Sequence, residues 1–305
     1  MNSNAPRATL PRAGIVLLVL ITLFWGVNWP IMKFTLVEYP ILTFRAICMV
    51  GGVLGFFAIA LMNRMPLGVP SGAWPRLLVI SFFNITGWNL CTAYGVTNLP
   101  AGRAAIIAFT MPIWSVLLSS WLLKEPMTRR RAAGLGLGGL GLAILIGGDL
   151  RELGAAPVGA MLMLGAAMSW AIGTVVMKRY PLRMPTVVMT GWLMLIGGLP
   201  IVVAAAWVAP DSFHAHSFWP NFGVVYNVLI SFIFCYWAWF RILNMVPAAV
   251  ASLSTLMIPV VGVFSGMLVL GEIPQWNDIL ALLLVMAALA TVLIAAPTPA
   301  RAADA

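Results

Sequence analysis

Long apolar runs, separated by short polar connectors, make up most of this chain. A membrane-spanning helix needs about 20 mostly apolar residues, whereas the strands of a membrane barrel are about half as long and alternate every two residues. The runs fit the helical pattern and predict ten spans: 14–34, 40–62, 77–96, 101–123, 132–147, 157–177, 185–208, 222–240, 247–270 and 278–296. The longest connector, 209–221, leaves no room for a soluble domain. We therefore expect an all-α integral membrane protein with ten transmembrane helices.

The composition agrees with this pattern. Of the 305 residues, 62% are hydrophobic and 8% are charged, whereas a typical soluble domain carries about 25% charged residues. The net charge is +9, but the basic residues are scattered between the apolar runs, which argues against a nucleic-acid-binding face. Cys48, Cys91 and Cys235 all lie inside apolar runs and form neither a disulfide framework nor a metal-ligand spacing. We expect no cofactor and no metal.

The positions of Lys and Arg predict the orientation, because cytoplasmic loops are enriched in both. With the N-terminus inside, the outer loops contain Arg151 alone. The inner side then collects Arg7, Arg12, Arg64, Arg76, Lys124, Arg129, Arg130, Arg131, Lys178, Arg179, Arg183, Arg241 and Arg301. Both termini are predicted to be cytoplasmic, in a multi-pass protein of the inner (cytoplasmic) membrane. The first apolar run is too long for a signal-peptide core and lacks a clear cleavage site, so we expect it to be retained.

An internal repeat relates two segments at a constant offset of 147 residues. LPAGRAAIIAFTMPIWSVLLSSWLLKEP begins at Leu99, and VPAAVASLSTLMIPVVGVFSGMLVLGEIP begins at Val246. The identical pairs are Pro100 and Pro247, Ala101 and Ala248, Ala104 and Ala251, Pro112 and Pro259, Val116 and Val263, Leu123 and Leu270, and Glu125 and Glu272. A weaker echo pairs FWG, from Phe24, with SWA, from Ser169. Shared hydrophobicity alone does not explain identities that include mid-span prolines.

The repeat divides the chain into two halves of five spans. The predicted segments are a cytoplasmic N-terminus (1–13), a first five-helix repeat (14–147), an outer linker (148–156), a second five-helix repeat (157–296) and a cytoplasmic C-terminus (297–305). Because five is odd, the second half enters the membrane from the opposite side. Inverted-topology repeats are typical of secondary transporters, whose binding site lies near the midplane between the halves.

These features resemble the EamA-type branch of the drug/metabolite transporter superfamily. The resemblance is carried by the two five-span halves, the FWG-N-W-P start at Phe24, and the motif P…MP…LLKEP with its copy P…IP…LGE. Within that branch the chain is most similar to YddG-like exporters of aromatic amino acids and related metabolites. The resemblance implies a carrier that exports amino acids. Because members that share the motif move unrelated solutes, it implies the architecture more firmly than the substrate.

Polar and aromatic residues inside the spans form the candidate substrate site, because a polar group in hydrocarbon is costly unless it meets a partner. Asn28 either bonds across helices or serves as a polar anchor in a cavity wall. Asn84, Trp88 and Thr92 follow one helical face at four-residue steps. We predict that substrate is bound by Trp25, Asn28, Trp29, Asn84, Trp88, Thr92, Trp170, Thr174, Asn227 and Ser231.

Several other residues within the spans also have candidate roles. Pro112 and Pro259 delete backbone hydrogen bonds and form either static kinks or flexible joints, and we predict that they gate the path. Arg45 either reaches the outer headgroups, bonds exposed carbonyl ends, or meets a substrate carboxylate. Trp237 and Trp239 lie near the inner end of their span, where tryptophan often anchors a helix at the interface.

Two motifs suggest chemistry that their context does not support. GLGGLG, Gly136 to Gly141, has the spacing of a dinucleotide-binding loop but lies inside a span, where glycines permit close helix packing. DSFHAH carries Asp211, His214 and His216, and we interpret it as a solvated outer loop because nothing completes a metal shell.

The acidic residues bear on the energy source. Eight are present, and none lies near the middle of a span, whereas a proton-coupled carrier usually keeps a carboxylate in its path. We therefore expect uncoupled or weakly coupled export by alternating access. Aromatic walls with a few amides and hydroxyls suit zwitterions that carry large apolar side chains.

The principal alternative is a multidrug or organic-cation efflux carrier, because aromatic walls also attract cations. A membrane channel or an intramembrane enzyme is the alternative of a different class, but an enzyme would need clustered acidic residues, histidines or metal ligands at one membrane face. We expect a non-enzymatic protein whose partners are a small-molecule substrate and membrane lipid, and not nucleic acid. The oligomeric state is open, and a monomer is compatible with the pattern.

Overall fold

The computed structural model describes residues 12–122, 124, 127–149, 156–208, 217–243 and 257–293, and most of these residues are helical. In chain order the helices are α1 (Arg12–Thr35), α2 (Ile41–Met62), α3 (Trp74–Thr97), α4 (Ala101–Leu122), α5 (Arg129–Asp149), α6 (Ala156–Arg179), α7 (Thr186–Val208), α8 (218–243), α9 (Met257–Leu270) and α10 (Trp276–Leu293).

The lengths and apolar character of the helices fit a membrane protein. Seven of the described helices are long and apolar enough to cross a membrane, namely α1, α2, α3, α4, α6, α7 and α8. Within the described residues α9 and α10 are also apolar but shorter. The prediction of an all-helical membrane protein is confirmed at this level. The count of ten spans, the inverted topology and the side of the termini stay predictions.

Some predicted features lie wholly or mostly outside the described residues. They are both termini (1–13 and 297–305), the linker 148–156, the outer loop with Asp211, His214 and His216, and part of the repeat, including Pro247, Ala248, Ala251, Leu123 and Glu125.

The helices pair in a pattern that treats the two halves alike. α2 packs along α7 and α5 along α10, while α1 contacts α9 and α4 contacts α6. Exchanging each helix of the first half with its counterpart in the second leaves this set of pairs unchanged. α3 packs against α6 at Gly173, where an added Cβ would lie 1.3 Å from Asn84 Oδ1.

Two helices contain π-helical turns at positions that the repeat relates. The turn in α3 covers Phe82–Gly87, and the turn in α8 covers Asn227–Phe234. Shifting the first by 147 residues gives 229–234, which lies inside the second. Because a π turn closes i→i+5 hydrogen bonds, it rotates the following residues away from the faces that α-helical spacing would predict.

Pro30 lies inside α1 without ending it. The proline lacks the amide that would bond the carbonyl of Gly26, and Ser265 Oγ of α9 lies 3.4 Å from that carbonyl oxygen as a replacement donor. The same hydroxyl lies 3.1 Å from the carbonyl of Gly262, so its single O–H is shared between that carbonyl and the one freed by Pro30.

Pro112 follows a real break in α4. The first helical segment ends at Ala108, and the second begins at Met111, so the chain leaves helical geometry just before the proline. Pro259 is the third residue of α9, and the turn that precedes it lies outside the described residues.

The GLGGLG run lies within α5, as predicted, and half of its glycines are packed. A Cβ on Gly138 would lie 2.0 Å from Ile113 Cδ1, and one on Gly141 would lie 3.1 Å from Leu284 Cβ. Gly136 and Gly139 have no described atom within 4 Å of such a Cβ. Close packing therefore accounts for two of the four glycines.

Candidate functional site

A cavity of about 550 Å³ lies between the two halves of the bundle. Its size falls within the range of about 300–1,000 Å³ that is usual for small-molecule sites. The described residues that line it are Trp25, Asn28, Trp29, Met32, Arg45, Trp88, Asn89, Thr92, Phe109, Met111, Pro112, Ser115, Val116, Ser119, Arg131, Trp170, Thr174, Val175, Lys178, Ser231, Phe232, Tyr236, Trp239 and Ile258.

Tryptophans from both halves form the walls of the cavity. The rings of Trp88 and Trp170 lie 5.0 Å apart between centroids and are tilted by 58°. Trp25 packs edge-on against Tyr236 at 5.7 Å and donates its indole N–H to the carbonyl of Ser231 at 3.2 Å. These contacts hold the rings in fixed orientations, which suits recognition of a flat apolar group.

Polar groups lie among these rings. Asn28 Oδ1 is buried and has no hydrogen-bond partner among the described residues. Thr92 Oγ1 donates to the carbonyl of Trp88 at 2.8 Å and accepts from Arg45 Nη2 at 3.0 Å. The cavity thus combines apolar walls with an amide oxygen and a guanidinium.

Most of the predicted site residues line this cavity. They are Trp25, Asn28, Trp29, Trp88, Thr92, Trp170, Thr174 and Ser231, together with the predicted gating residue Pro112. Asn84, Asn227 and Pro259 are not part of the lining. That the lining residues bind substrate stays a prediction.

The two asparagines lie elsewhere, and each has a packed or bonded position within a π turn. Asn84 is only 6% exposed and packs against Gly173, and Asn227 is fully buried and donates to the carbonyl of Gly223 at 3.0 Å. The four-residue steps that placed Asn84 on the face of Trp88 assume α-helical geometry, which the turn at Phe82–Gly87 interrupts.

The sequence interpretation left Arg45 with three readings and assigned Trp239 to the interface. Arg45 is 3% exposed and lies inside the bundle, so its side chain does not extend to the headgroups. Trp239, which was expected to anchor the interface, lines the cavity and lies 6.1 Å from Trp25 between ring centroids. The signal for Arg45 was available, because a charge within an apolar span usually faces the bundle interior.

The cavity extends toward one end of the bundle, which we call the basic end because Arg131 and Lys178 line the cavity there. At its other limit it terminates at Met32, Arg45 and Thr92, which are all at most 3% exposed. Among the described residues, the lining on this side is therefore buried from solvent.

An ion pair joins three helix ends at this opposite end. Lys33 Nζ donates to Glu272 Oε1 at 2.7 Å and to the carbonyl of Leu99 at 2.8 Å. The carboxylate of Glu272 also accepts the amide of Ala101, at 2.8 and 2.9 Å, and that of Gly102 at 3.4 Å. Since these amides begin α4, Glu272 acts as its N-terminal cap from a distant part of the chain.

A second ion pair lies beside the first and is more buried. Arg103 Nε donates to Asp278 Oδ1 at 2.7 Å, and the two side chains are 8% and 6% exposed. Asp278 Oδ2 also accepts the amide of Gln275 at 2.8 Å. Together the carboxylates of Glu272, in the α9–α10 connector, and Asp278, in the first turn of α10, bind the first turn of α4.

The connector between α1 and α2 is fastened to the start of α8 at the same end. Tyr39 donates its hydroxyl to Asn221 Oδ1 at 2.6 Å, and Glu38 accepts the amide of Ser217 at 2.8 Å. Burial, with a further contribution from the negative charge of Glu38, raises the pKa of Tyr39 above its usual value. The phenol therefore stays protonated and keeps its donor role at neutral pH.

The described residues contain no group of three or more His, Cys, Asp or Glu side chains that could hold a metal ion. Nor does the described lining of the cavity include a carboxylate.

A helical membrane protein with two similar halves around an internal cavity has the architecture of a membrane transporter, and comparison with known proteins agrees. The model of the EamA-like transporter family matches residues 12–147 and, separately, residues 157–294. The chain belongs to this family of multi-pass membrane transporters.

Relatives and a solved structure extend the comparison. The chain is 26% identical over 269 residues to the uncharacterized transporter YoaV of Bacillus subtilis, covering 88% of this chain and 92% of that protein. It is 26% identical over 290 residues to a probable amino-acid metabolite efflux pump of Escherichia coli (strain K12), covering 92% and 94%. A crystal structure with 19% sequence identity shares the fold, with a TM-score of 0.64 over 91% of this chain and 95% of that one. Membership of the EamA branch is confirmed, and YddG-like specificity stays a prediction.

Proposed function

We propose that this transporter exports amino acids, aromatic or otherwise large and neutral, and related small metabolites across the inner membrane by alternating access. The observation that carries the proposal is the central cavity, whose lining includes Arg131 and Lys178 at the basic end and is buried from solvent at Met32, Arg45 and Thr92. The positive-inside rule predicts that the basic end faces the cytoplasm. A carrier whose cavity is accessible from the cytoplasm would have its cavity at this end.

The chemistry of the lining supports an amphipathic substrate. Tryptophan rings provide apolar surface, while Asn28 and Arg45 provide polar groups of complementary character. The related efflux pump of Escherichia coli is described as acting on amino-acid metabolites, which is compatible with such a substrate.

Ten spans in two inverted halves are the arrangement that we propose for the whole chain, with both termini in the cytoplasm. The exchange-symmetric helix pairs and the repeat-related π turns support it. In such a carrier, opening the end held by Lys33 and Glu272 would accompany closure of the basic end. Lys178 at the basic end stands 145 residues after Lys33, the same offset that relates Trp170 to Trp25.

Transport is proposed to be uncoupled or weakly coupled to protons. The described acidic residues Glu38, Asp149, Glu272 and Asp278 lie at helix ends or in connectors, and the described cavity lining includes none of them. A path without a titrating carboxylate has no evident group to carry a proton with each cycle.

Counterflow in liposomes tests the proposal. Purified protein would be reconstituted in vesicles loaded with unlabelled tryptophan, and uptake of labelled tryptophan would be followed with and without a pH gradient. We expect saturable counterflow that ignores the gradient and that weakens in Trp88→Ala and Trp170→Ala. Trp207→Ala is the matched control, because this tryptophan is 84% exposed at the end of α7 and does not line the cavity.

The other outcomes separate the alternatives. Non-saturable flux without counterflow would indicate a channel, and flux driven by the pH gradient would refute the uncoupled mechanism. Vesicles that contain folded protein but show no tryptophan flux would contradict amino-acid export.

A further inference from the structure

Arg45 is a buried cation that the described part of the protein leaves without a counter-charge. It lies in α2, is 3% exposed, and lines the cavity. None of the ion pairs within the described residues involves it. Its guanidinium stays charged because arginine is not deprotonated in proteins. A buried charge that lacks a partner is unfavourable, so a bound anion would stabilise this position.

The hydrogen bonds of Arg45 leave donors unused. Nη2 donates to Thr92 Oγ1 at 3.0 Å and to Met32 Sδ at 2.8 Å, and a thioether is a weak acceptor. Nε is buried and has no partner among the described residues. A guanidinium presents its N–H groups in a planar fork that matches the two oxygens of a carboxylate.

Asn28 provides a hydrogen-bond acceptor without a described partner, and it lies one helical turn from Met32, which contacts Arg45. Asn28 and Met32 are four residues apart on α1, which places them on one face about 6 Å apart along the helix axis. Met32 contacts Arg45, and Asn28 Oδ1 is buried without a partner in the described residues. An α-amino acid carries its carboxylate and ammonium on one carbon, so one group can meet Arg45 while the other approaches Asn28.

We propose that Arg45 binds the carboxylate of the transported solute and that Asn28 accepts from its ammonium, so that a free carboxylate is the main requirement for transport. This inference rests on the proposed function and names its substrate class. Organic cations are poor substrates on this proposal, because the described lining includes the cations Arg45, Arg131 and Lys178 and no carboxylate.

Four compounds with one phenyl ring test this assignment by thermal stabilisation of the full-length protein in detergent. Phenylalanine carries both charged groups, 3-phenylpropionate only the carboxylate, and phenylalaninamide and phenethylamine only the ammonium. For the wild type we expect stabilisation by the two carboxylates. Removing the carboxylate should weaken binding about 10- to 100-fold, as loss of a charged hydrogen bond does.

Three variants separate recognition from folding. Arg45→Met should lose the response to both carboxylates while unfolding at the same or a higher temperature, because it removes an unpaired buried charge. Asn28→Ala should keep the response to 3-phenylpropionate and lose most of the extra response to phenylalanine. Arg76→Met is the matched control, because this exposed arginine lies outside the cavity lining and its loss should leave the pattern unchanged.

The inference would be overturned if the wild type responded equally to phenylalanine and its amide, or if Arg45→Met kept the preference for carboxylates. Tryptophan counterflow provides the separate readout for the proposed function. Intact counterflow without a carboxylate preference would refute the role of Arg45 alone. Absence of both counterflow and any ligand response would refute the proposed function and this inference with it.

Discussion

Removing the carboxylate of Glu272 should loosen the end of the bundle opposite the basic end. Glu272→Ala deletes the ion pair with Lys33 and the cap on the first amides of α4. Lys33→Met deletes the ion pair but leaves the cap in place. Comparing the two variants therefore separates the contribution of the ion pair from that of the bonds to the backbone amides.

The magnitude follows from the geometry of the cluster. The side chains of Lys33 and Glu272 are 29% and 17% exposed, so we assign their pair about 1 kcal/mol after screening by solvent. Loss of an N-terminal cap costs about 1–2 kcal/mol. Glu272→Ala should thus favour opening by about 2–3 kcal/mol, or roughly 30- to 150-fold, and Lys33→Met by about 5-fold.

Hydrogen exchange in lipid nanodiscs, read by mass spectrometry, measures this opening. Exchange of peptides covering 99–110 and 265–280 should accelerate by these factors, because protection reports the free energy of local opening. A peptide covering 186–195, at the start of α7, is the internal reference. Glu38→Gln is the matched control, since Glu38 is a carboxylate at the same end that accepts the amide and the hydroxyl of Ser217, at the start of α8.

Two results would refute the reasoning. Because Glu272→Ala removes the cap as well as the ion pair, its effect should exceed that of Lys33→Met, and an equal or smaller effect would show that the cap adds nothing. Unchanged exchange at 99–110 in both variants would show that this cluster does not hold the end closed.

Two predictions concern stability, each read as the apparent unfolding temperature in detergent. Gly173→Ala should destabilise the protein by about 1–3 kcal/mol through overpacking against Asn84. Gly136→Ala, with open space at its Cβ, is the control and should be neutral or slightly stabilising. Equal effects of the two substitutions would refute the α3–α6 contact. Asp278→Asn should cost about 3–5 kcal/mol, because it removes the carboxylate of a buried ion pair with Arg103, and replacing both residues with leucine should restore much of the loss.

Hydrophobic patterning predicted the helices well, because the length of a span is set by the thickness of the membrane. It also selected Trp25, Trp88 and Trp170, which line one cavity. The selection worked because polar and aromatic positions within spans face the bundle interior. Helical spacing failed for Asn84 because the π turn of α3 changes the rotation between that residue and Trp88.

The ends of the bundle were beyond sequence reasoning for a different reason. Lys33 and Glu272 are 239 residues apart, and no periodicity relates a lysine at one helix end to a glutamate in a distant connector. The hydrogen-bond partner of Arg45 could not be predicted either, because Thr92 belongs to another helix, 47 residues away. Local pattern predicts which face of a helix is buried but not which partner meets it there.

The cap on α4 has a consequence for biosynthesis. Glu272 follows Ala101 by 171 residues, and Pro100, at the N-cap position itself, makes no side-chain capping bond. Likewise, Asp278, the partner of the buried Arg103, follows it by 175 residues. When the ribosome has delivered only the first half, α4 thus enters the bilayer before Glu272 and Asp278, whose carboxylates bond its first turn, have been synthesised. The first half reaches its final form only after nearly the entire chain has been translated.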